Sequence, residues 1–316
     1  MIKIEYRPDT YLDILEMNAD MRRDLESDMS RVVTGIASTI DTTCIDKLVI
    51  TDTFAEDVLA FQSQHHYEYT GITDNSIGRA QGKTLVDKET GRYTIFIDSN
   101  FGVALVNDDI IDVFLQAIPD QKESIFLQRA ASRNLVAHEF MHAEFDSCHM
   151  KPQFGTSHEE RLKSIAWLLY DEYNACRNAA AIEPMPFISD TEKGILDIEK
   201  IIIAERRKYN FRDIDLTNFR LQFLEYTKMA LIFLVSALGD SEGASKEIPD
   251  YPNCMINNIS VNIADGLHTM SESIDIGNFE EPLEEVARTV RLYHELFHVF
   301  ISDTPQGEYW DIPVRP

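Results

Sequence analysis

The stretch Asn134–Asp146 reads NLVAHEFMHAEFD and contains His138, Glu139 and His142 in the spacing H-E-x-x-H. Residues four apart lie on the same face of an α-helix, so two imidazoles in this spacing can bind one metal ion. The remaining side chains are apolar nearly all round the predicted helix, which predicts that it is buried. Two buried histidines and a buried glutamate need partners, so they either bind a metal ion or form hydrogen bonds within the core.

The composition limits the functional classes to which the chain can belong. It has 316 residues, 44% of them hydrophobic, and a net charge of −25, which allows an ordinary core and repels nucleic-acid backbones and anionic lipid. Nucleic-acid binding by so acidic a chain would need a local basic patch. The densest basic run is the short segment Ala204–Tyr209 within a helical pattern, so we expect no nucleic-acid binding. The longest uncharged apolar run, Met229–Leu238, is about half a membrane span, so we expect a buried helix and no membrane partner.

The cysteines and the N-terminal residues bear on the cellular compartment. The four cysteines are widely spaced and form no C-x-x-C pair. The N-terminal residues lack the basic segment and apolar stretch of a secretory signal. These features predict reduced thiols and a cytoplasmic protein.

The predicted secondary structure changes character along the chain. Strands are expected at Asp46–Thr51 and in a hairpin whose second strand is Arg92–Ile97, with Gly91 in the turn. After Asn107 the pattern becomes helical and predicts helices over 124–148, 157–182, 190–209, 217–238, 255–275 and 281–302. The chain is therefore predicted to be α+β, with a first domain over residues 1–186 and an all-helical part over 187–316 packed on it.

A third metal ligand is expected, because a catalytic zinc ion usually has three protein ligands. Apolar residues define one face of the next predicted helix: Leu162, Ile165, Leu169, Cys176 and Ala179. Glu172 falls on this face, where a carboxylate is costly unless it is paired or bound to a metal ion. Cys148 and His149, just after the first motif, are alternative ligands, and a chain without any metal ion is a further alternative.

An H-E-x-x-H helix followed by a glutamate on a later helix resembles the gluzincins, a family of zinc peptidases. The string EYNACRNAAA, Glu172–Ala181, is also similar to the glutamate helix of the ImmA/IrrE-type metallopeptidases. The gluzincin resemblance implies a zincin-like catalytic domain with a small β-sheet, in which zinc is bound by His138, His142 and Glu172. It also implies that Glu139 is the general base in the hydrolysis of a peptide or protein substrate.

The same resemblance implies roles for several other residues. The strand Arg92–Ile97 is expected to be an edge strand that binds an extended peptide by β-augmentation. Gluzincins often carry an aspartate four residues after the ligand glutamate, but this chain has Cys176 there. A histidine ligand is then expected to be oriented by one of three other side chains: Asp146, Asp171 or Asn178. The candidates for stabilising an oxyanion in the transition state are Tyr173, His268 and His294.

The spacing H-E-x-x-H occurs again at His294, Glu295 and His298, within the stretch Glu280–Asp303 that we predict to be one amphipathic helix. His294 fits the apolar stripe of this helix, and His298 lies at its margin. Because no later helix follows that could supply a ligand, we expect a core histidine pair. The alternatives are that these residues line the first site or bind a second metal ion.

Two other functions fit the same residues. One is a non-catalytic zincin-like protein whose helical C-terminal part binds a protein partner and whose metal ion is structural or absent. The other is a regulatory or toxin-like protease that cleaves one specific protein. An exposed apolar groove between the C-terminal helices would favour the binding protein, and an open metal coordination position in a cleft would favour an enzyme.

Overall fold

The computed structural model describes residues 2–7, 19–68, 70–72, 80–102, 104–105, 122–185 and 191–314. The chain divides into two compact units, the first comprising Met1–Met150 and Asn178–Pro186 and the second comprising Lys151–Arg177 and Phe187–Pro316. The prediction of an α+β chain with a small sheet and a helical C-terminal part is confirmed. The predicted domain boundary at residue 186 lies outside the described residues and stays a prediction.

The first unit contains a four-stranded sheet in the order β1-β2-β4-β3. Its strands are β1 (Lys3–Arg7), β2 (Ile45–Thr51), β3 (Gly82–Val86) and β4 (Tyr93–Asp98). The pairs β1–β2 and β2–β4 are parallel, whereas β3 is antiparallel to β4 through the predicted turn with Gly91, which has a φ of 70°. Every residue of β4 is buried, as is usual for an interior strand that is covered on both faces.

The prediction that Arg92–Ile97 forms an edge strand is wrong. The strand β4 is hydrogen-bonded to β2 on one side and to β3 on the other, so its backbone groups are already paired within the sheet. An extended peptide cannot be added to it. Among the described residues, the edges of this sheet are β1 and β3.

Helices cover both faces of the sheet in the first unit. They are α1 (Ala19–Ala37), α2 (Phe54–Gln64), the short α3 (Ser99–Gly102) and α4 (Lys122–Cys148). On one face, Phe54 and Val58 of α2 pack with Leu85 and Phe96 of the hairpin in a buried apolar cluster. On the other face, α4 packs against β3 and β4. The helix that carries the first motif therefore lies directly on the antiparallel end of the sheet.

The second unit is mainly helical. Its helices are α5 (His158–Ile182), α6 (Thr191–Asn210), α7 (Leu216–Gly243), α8 (Ser260–Ser273) and α9 (Glu280–Leu296), with 3₁₀ turns at Met255–Asn258 and Ile274–Ile276. The helix α7 approaches α5 closely at Gly239, where a Cβ atom would lie 2.5 Å from the backbone oxygen of Tyr173. The last residues of α5, Asn178–Ile182, belong to the first unit.

A buried carboxylate joins three elements of the second unit. Glu199 of α6 accepts hydrogen bonds from the backbone N–H groups of Met255 (2.7 Å) and Ile256 (2.8 Å). It also accepts one from the hydroxyl of Tyr293 in α9 (3.1 Å). These donors offset the cost of burying the charge, although burial still raises the pKa of Glu199.

The helix α7 contains the apolar run Met229–Leu238, most of which is buried as predicted. Among the described residues, α7 is the one helix with the length and apolar composition of a membrane span, and half of its most apolar window is buried inside the protein. The core helix of a soluble protein can have the same length and apolar composition, so these two properties are weak evidence for a membrane-spanning helix.

The predicted helix over 281–302 is wrong at its C-terminal end. The helix α9 ends at Leu296, and a hairpin follows with strands β5 (Phe300–Thr304) and β6 (Gly307–Asp311). His298 has a φ of 54°, a left-handed conformation that ends the helix. The turn residues between Thr304 and Gly307 and the β-branched residues before them are the sequence signals for this hairpin.

Candidate metal centre

The two histidines of the first motif lie on one face of α4, as their spacing predicts. The Nε2 atoms of His138 and His142 are 3.0 Å apart, and the two rings are nearly perpendicular, with centroids separated by 4.5 Å. Both imidazoles are half-buried, whereas the flanking Val136, Ala137 and Phe140 are fully buried. The apolar face of α4 thus holds the helix against the sheet and leaves the two imidazoles partly exposed.

Glu172 of α5 lies beside these imidazoles. One ligand atom from each of His138, His142 and Glu172 lies within 4.8 Å of the others, and no second group of this kind occurs among the described residues. The end of α5 is held in the first unit, where the side chain of Asn134 donates a 2.8 Å hydrogen bond to the backbone oxygen of Glu183.

The alternative ligands lie elsewhere. Cys148 is the last residue of α4 and is exposed. The imidazole of His149 contacts the backbone oxygen of Phe145 through Nδ1 at 3.1 Å and stacks on the Phe145 ring. Neither residue belongs to the group formed by the two histidines and Glu172.

The donor set fits a zinc ion. Zinc binds imidazole nitrogens at about 2.0–2.1 Å, so two such atoms on a tetrahedral ion are about 3.3 Å apart. The nitrogens of His138 and His142 need to separate only slightly from their 3.0 Å distance to reach this geometry. The same distance also suits a hydrogen bond between the two imidazoles, in which one nitrogen donates and the other accepts.

Glu139 is held on the sheet side of α4. Its side chain is buried, with 6% of the residue exposed, and its Oε2 atom accepts a 2.7 Å hydrogen bond from the hydroxyl of Thr84 in β3. Gly82, two residues earlier on the same strand, lies against the same carboxylate. Sequence analysis did not identify either residue, because nothing in the local pattern shows which helix covers this face of β3.

Tyr173 and His268 both contact Glu242 in the second unit. The hydroxyl of Tyr173 is 2.5 Å from Oε2, and Nε2 of His268 is 2.6 Å from Oε1. The guanidinium of Arg177 lies 3.7 Å from the same carboxylate. Burial, and secondarily the hydrogen bond to Glu242, raise the pKa of Tyr173, so its phenol stays protonated and donates to this carboxylate. Asp146, one of the three residues expected from the sequence to orient a histidine ligand, is exposed near the end of α4.

The two histidines of the second motif are separated by the end of α9. His294 is 2% exposed and packs against the rings of Phe223 and His158, whereas His298 is exposed and lies beyond the helix. The expectation of a core histidine pair therefore holds for His294 alone. No group of metal ligands that includes His294 or His298 is found among the described residues.

The case for a metal site depends on the side chains of this chain alone. Three groups of the types that bind zinc come together on two helices, and a buried glutamate adjoins the first of them. No protein-family model, no curated protein and no solved structure matches the chain.

Proposed function

We propose that the protein is a zinc-dependent hydrolase of peptide bonds, organised like a gluzincin. The observation that carries this proposal is the convergence of His138, His142 and Glu172 within 4.8 Å of one another. Two histidines and one glutamate form a donor set that is typical of catalytic zinc, because three protein ligands leave one coordination position for water or substrate. Zinc is the metal we favour, since imidazole and carboxylate donors in a set of three suit it.

The residues of the candidate site would have two roles in hydrolysis, metal binding and proton transfer. When bound, zinc supplies a Lewis acid that polarises a carbonyl group and makes water more acidic. His138, His142 and Glu172 would hold the ion. Glu139 takes the proton from the attacking water and delivers it to the leaving amine, a role that requires a carboxylate close to the metal ligands. Glu139 directly follows His138 in α4, and Thr84 holds its carboxylate on the sheet side of the helix.

The outer edge of β3 is the place where we expect an extended peptide to bind. The hydroxyl of Tyr67 contacts both the N–H and the C=O of Val86 at 2.8 Å, so these groups point away from β4. Because alternate residues of a strand point their backbone groups to the same side, those of Gly82 and Thr84 point to this outer edge as well. Since Thr84 also contacts Glu139, a peptide paired with this edge runs past the general base.

The alternative is a non-catalytic protein with the same helices. The observation that favours it is the 3.0 Å separation of the two Nε2 atoms, which an imidazole–imidazole hydrogen bond explains without a metal ion. In that case, the chain acts by binding a protein partner. A peptide or protein substrate and a cytoplasmic location both stay predictions.

The test compares wild-type protein with Glu139→Gln, which keeps the size of the side chain and removes the base. Both proteins are loaded with zinc and incubated with a broad peptide library and with a cell extract, and new peptide ends are identified by mass spectrometry. We expect cleavage by the wild type, loss of about two to four orders of magnitude in the variant, and equal zinc content. A chelator should abolish the cleavage, and added zinc should restore it.

The absence of new peptide ends in wild type, across the library and the extract, would support the binding protein instead. Cleavage that continues at the wild-type rate in Glu139→Gln would leave a hydrolase but remove Glu139 from its role.

A further inference from the structure

We infer that Gly82 and Thr84 are positioning residues that hold the carboxylate of Glu139 in one orientation. The catalytic role of this positioning rests on the proposed function. The contact of Thr84 with Glu139 can be tested without a metal ion or a substrate. Both residues lie on β3, whose side chains alternate between the two faces of the sheet. Residues 82 and 84 share one face, and α4 packs against that strand.

Thr84 contributes a directional contact. Its hydroxyl lies 2.7 Å from Oε2 of Glu139 and 2.9 Å from the backbone oxygen of the same residue. The hydroxyl has one hydrogen to donate, and a carboxylate oxygen is a stronger acceptor than a peptide oxygen. A hydrogen bond to Oε2 fixes the rotation of the carboxylate, and Oε1 lies against Gly82.

Gly82 contributes space. A Cβ atom at this position would lie 2.5 Å from Oε1 of Glu139 and 2.9 Å from both its Cδ and Cγ atoms. Contacts this short do not occur, so any larger residue at position 82 would displace the carboxylate. The requirement for glycine is therefore close approach of the strand to the glutamate, since the backbone of β3 is ordinary extended strand.

The opposite face of β3 keeps the strand in place. Leu85 points away from α4 into the buried cluster that includes Phe54, Val58 and Phe96. On the other side of the ladder, Thr84 pairs with Ile95 and Gly82 with Ile97. The strand is thus held by a core on one face and by a ladder along one edge, which makes it a rigid support for the side chain of Glu139.

The kinetic test uses Thr84→Val, Thr84→Ser and Gly82→Ala in zinc-loaded protein. Thr84→Val removes the donor and keeps the shape, so we expect kcat to fall about 10- to 100-fold with KM and zinc content unchanged. Thr84→Ser restores the donor and should recover most of the rate. Gly82→Ala should lower kcat at least as much as Thr84→Val. In the Glu139→Gln background, Thr84→Val should change the residual rate less than about twofold, because the base is already absent.

The matched control is Thr94→Val. Thr94 is a buried threonine of the neighbouring strand β4, and it pairs with Leu85, so it lies on the face that points away from Glu139. The same chemical change there should leave kcat as in wild type. An equal loss of rate in Thr94→Val and Thr84→Val would show a general effect on the sheet and overturn the positioning role.

A second measurement needs no activity. The unfolding equilibrium is measured in metal-free protein for wild type, Thr84→Val, Glu139→Ala and the double variant. We expect the two changes to be coupled by about five- to tenfold in the unfolding equilibrium constant, because the same hydrogen bond between Thr84 and Glu139 is lost in either single variant. If Thr84→Val and Glu139→Ala are coupled in a protein that cleaves no peptide, the positioning role of Thr84 would be supported and the proposed hydrolase function would be rejected. Absence of coupling would overturn this inference, whether or not wild type is active.

Discussion

The hydroxyl of Tyr173 donates a hydrogen bond of 2.5 Å to the carboxylate of Glu242, although Tyr173 directly follows the candidate ligand Glu172. The phenol is fully buried, and its proton is committed to a residue of α7. A hydroxyl that donates to a carboxylate cannot at the same time donate to an oxyanion on a substrate. This contact makes Tyr173 a structural partner of α7 in the second unit.

We expect Tyr173→Phe to lower the stability and to leave the chemistry intact. Loss of the buried hydroxyl should cost about 1 kcal/mol of unfolding free energy, since His268 and Arg177 still compensate Glu242. Urea denaturation checks the stability, and kcat of the zinc-loaded variant should stay within about threefold of wild type. A loss of about a hundredfold in kcat at unchanged stability would instead assign Tyr173 to the oxyanion.

The two copies of H-E-x-x-H should differ in metal binding. Wild-type protein should contain about one zinc ion per chain, and His138→Ala or His142→Ala should abolish it, because a ligand set of two protein groups binds zinc weakly. His294→Ala and His298→Ala should retain the ion. Metal analysis after gel filtration measures this directly. Loss of zinc in the His294 and His298 variants, with normal circular dichroism, would transfer the site to the second copy.

Glu172 should be distinguishable from other acidic residues of α5. Replacement of Glu172 by Ala should weaken zinc binding by at least about tenfold in competition with a chromophoric chelator, because a charged ligand is lost. Glu160→Ala removes the same charge from the same helix, outside the group of three ligand-type side chains, and serves as the control. Equal weakening in both variants would mean that charge near the site, and not ligation, is being measured.

His158 and His294 should make the protein sensitive to acid. Burial, then the neighbouring His158 and Arg291, lower the pKa of His294 to about 3, and burial together with nearby arginines lowers the pKa of His158 to about 4. The charged groups around this pair are Arg161, Arg291, Asp303 and Glu308. Unfolded histidines bind protons below about pH 6.5, whereas these two stay neutral in the folded chain.

The sign of the effect follows from this difference in proton binding. The stabilising contribution is complete above about pH 6.5 and is lost progressively as the pH falls towards 4 and then 3, at about 1.4 kcal/mol per pH unit for each histidine. In His294→Leu the slope should be smaller by one proton between pH 6 and 4, as measured by urea denaturation against pH. Identical slopes in wild type and His294→Leu would contradict the prediction.

Local sequence patterns were sufficient for the helices that carry the candidate ligands. The helix predicted over 124–148 is observed as Lys122–Cys148, and the one predicted over 157–182 is observed as His158–Ile182. Helical periodicity and turn residues such as Gly91 act between neighbours in the chain, so they can be recognised without knowledge of the fold. The approach of Glu172 to the two histidines was expected on the same basis, because a carboxylate on an apolar helix face needs a partner.

Only the tertiary structure decided which strand is an edge, where α9 ends, and what holds Glu139. The strand β4 is interior because β2 pairs with it across a long stretch of chain, and the contact between Thr84 and Glu139 joins residues 55 positions apart. His298, just beyond the end of α9, takes a left-handed conformation, and the strand that begins at Phe300 pairs with β6. Contacts of this kind depend on which surfaces are buried together, and local preferences of a few tenths of a kcal/mol per residue are too small to determine them.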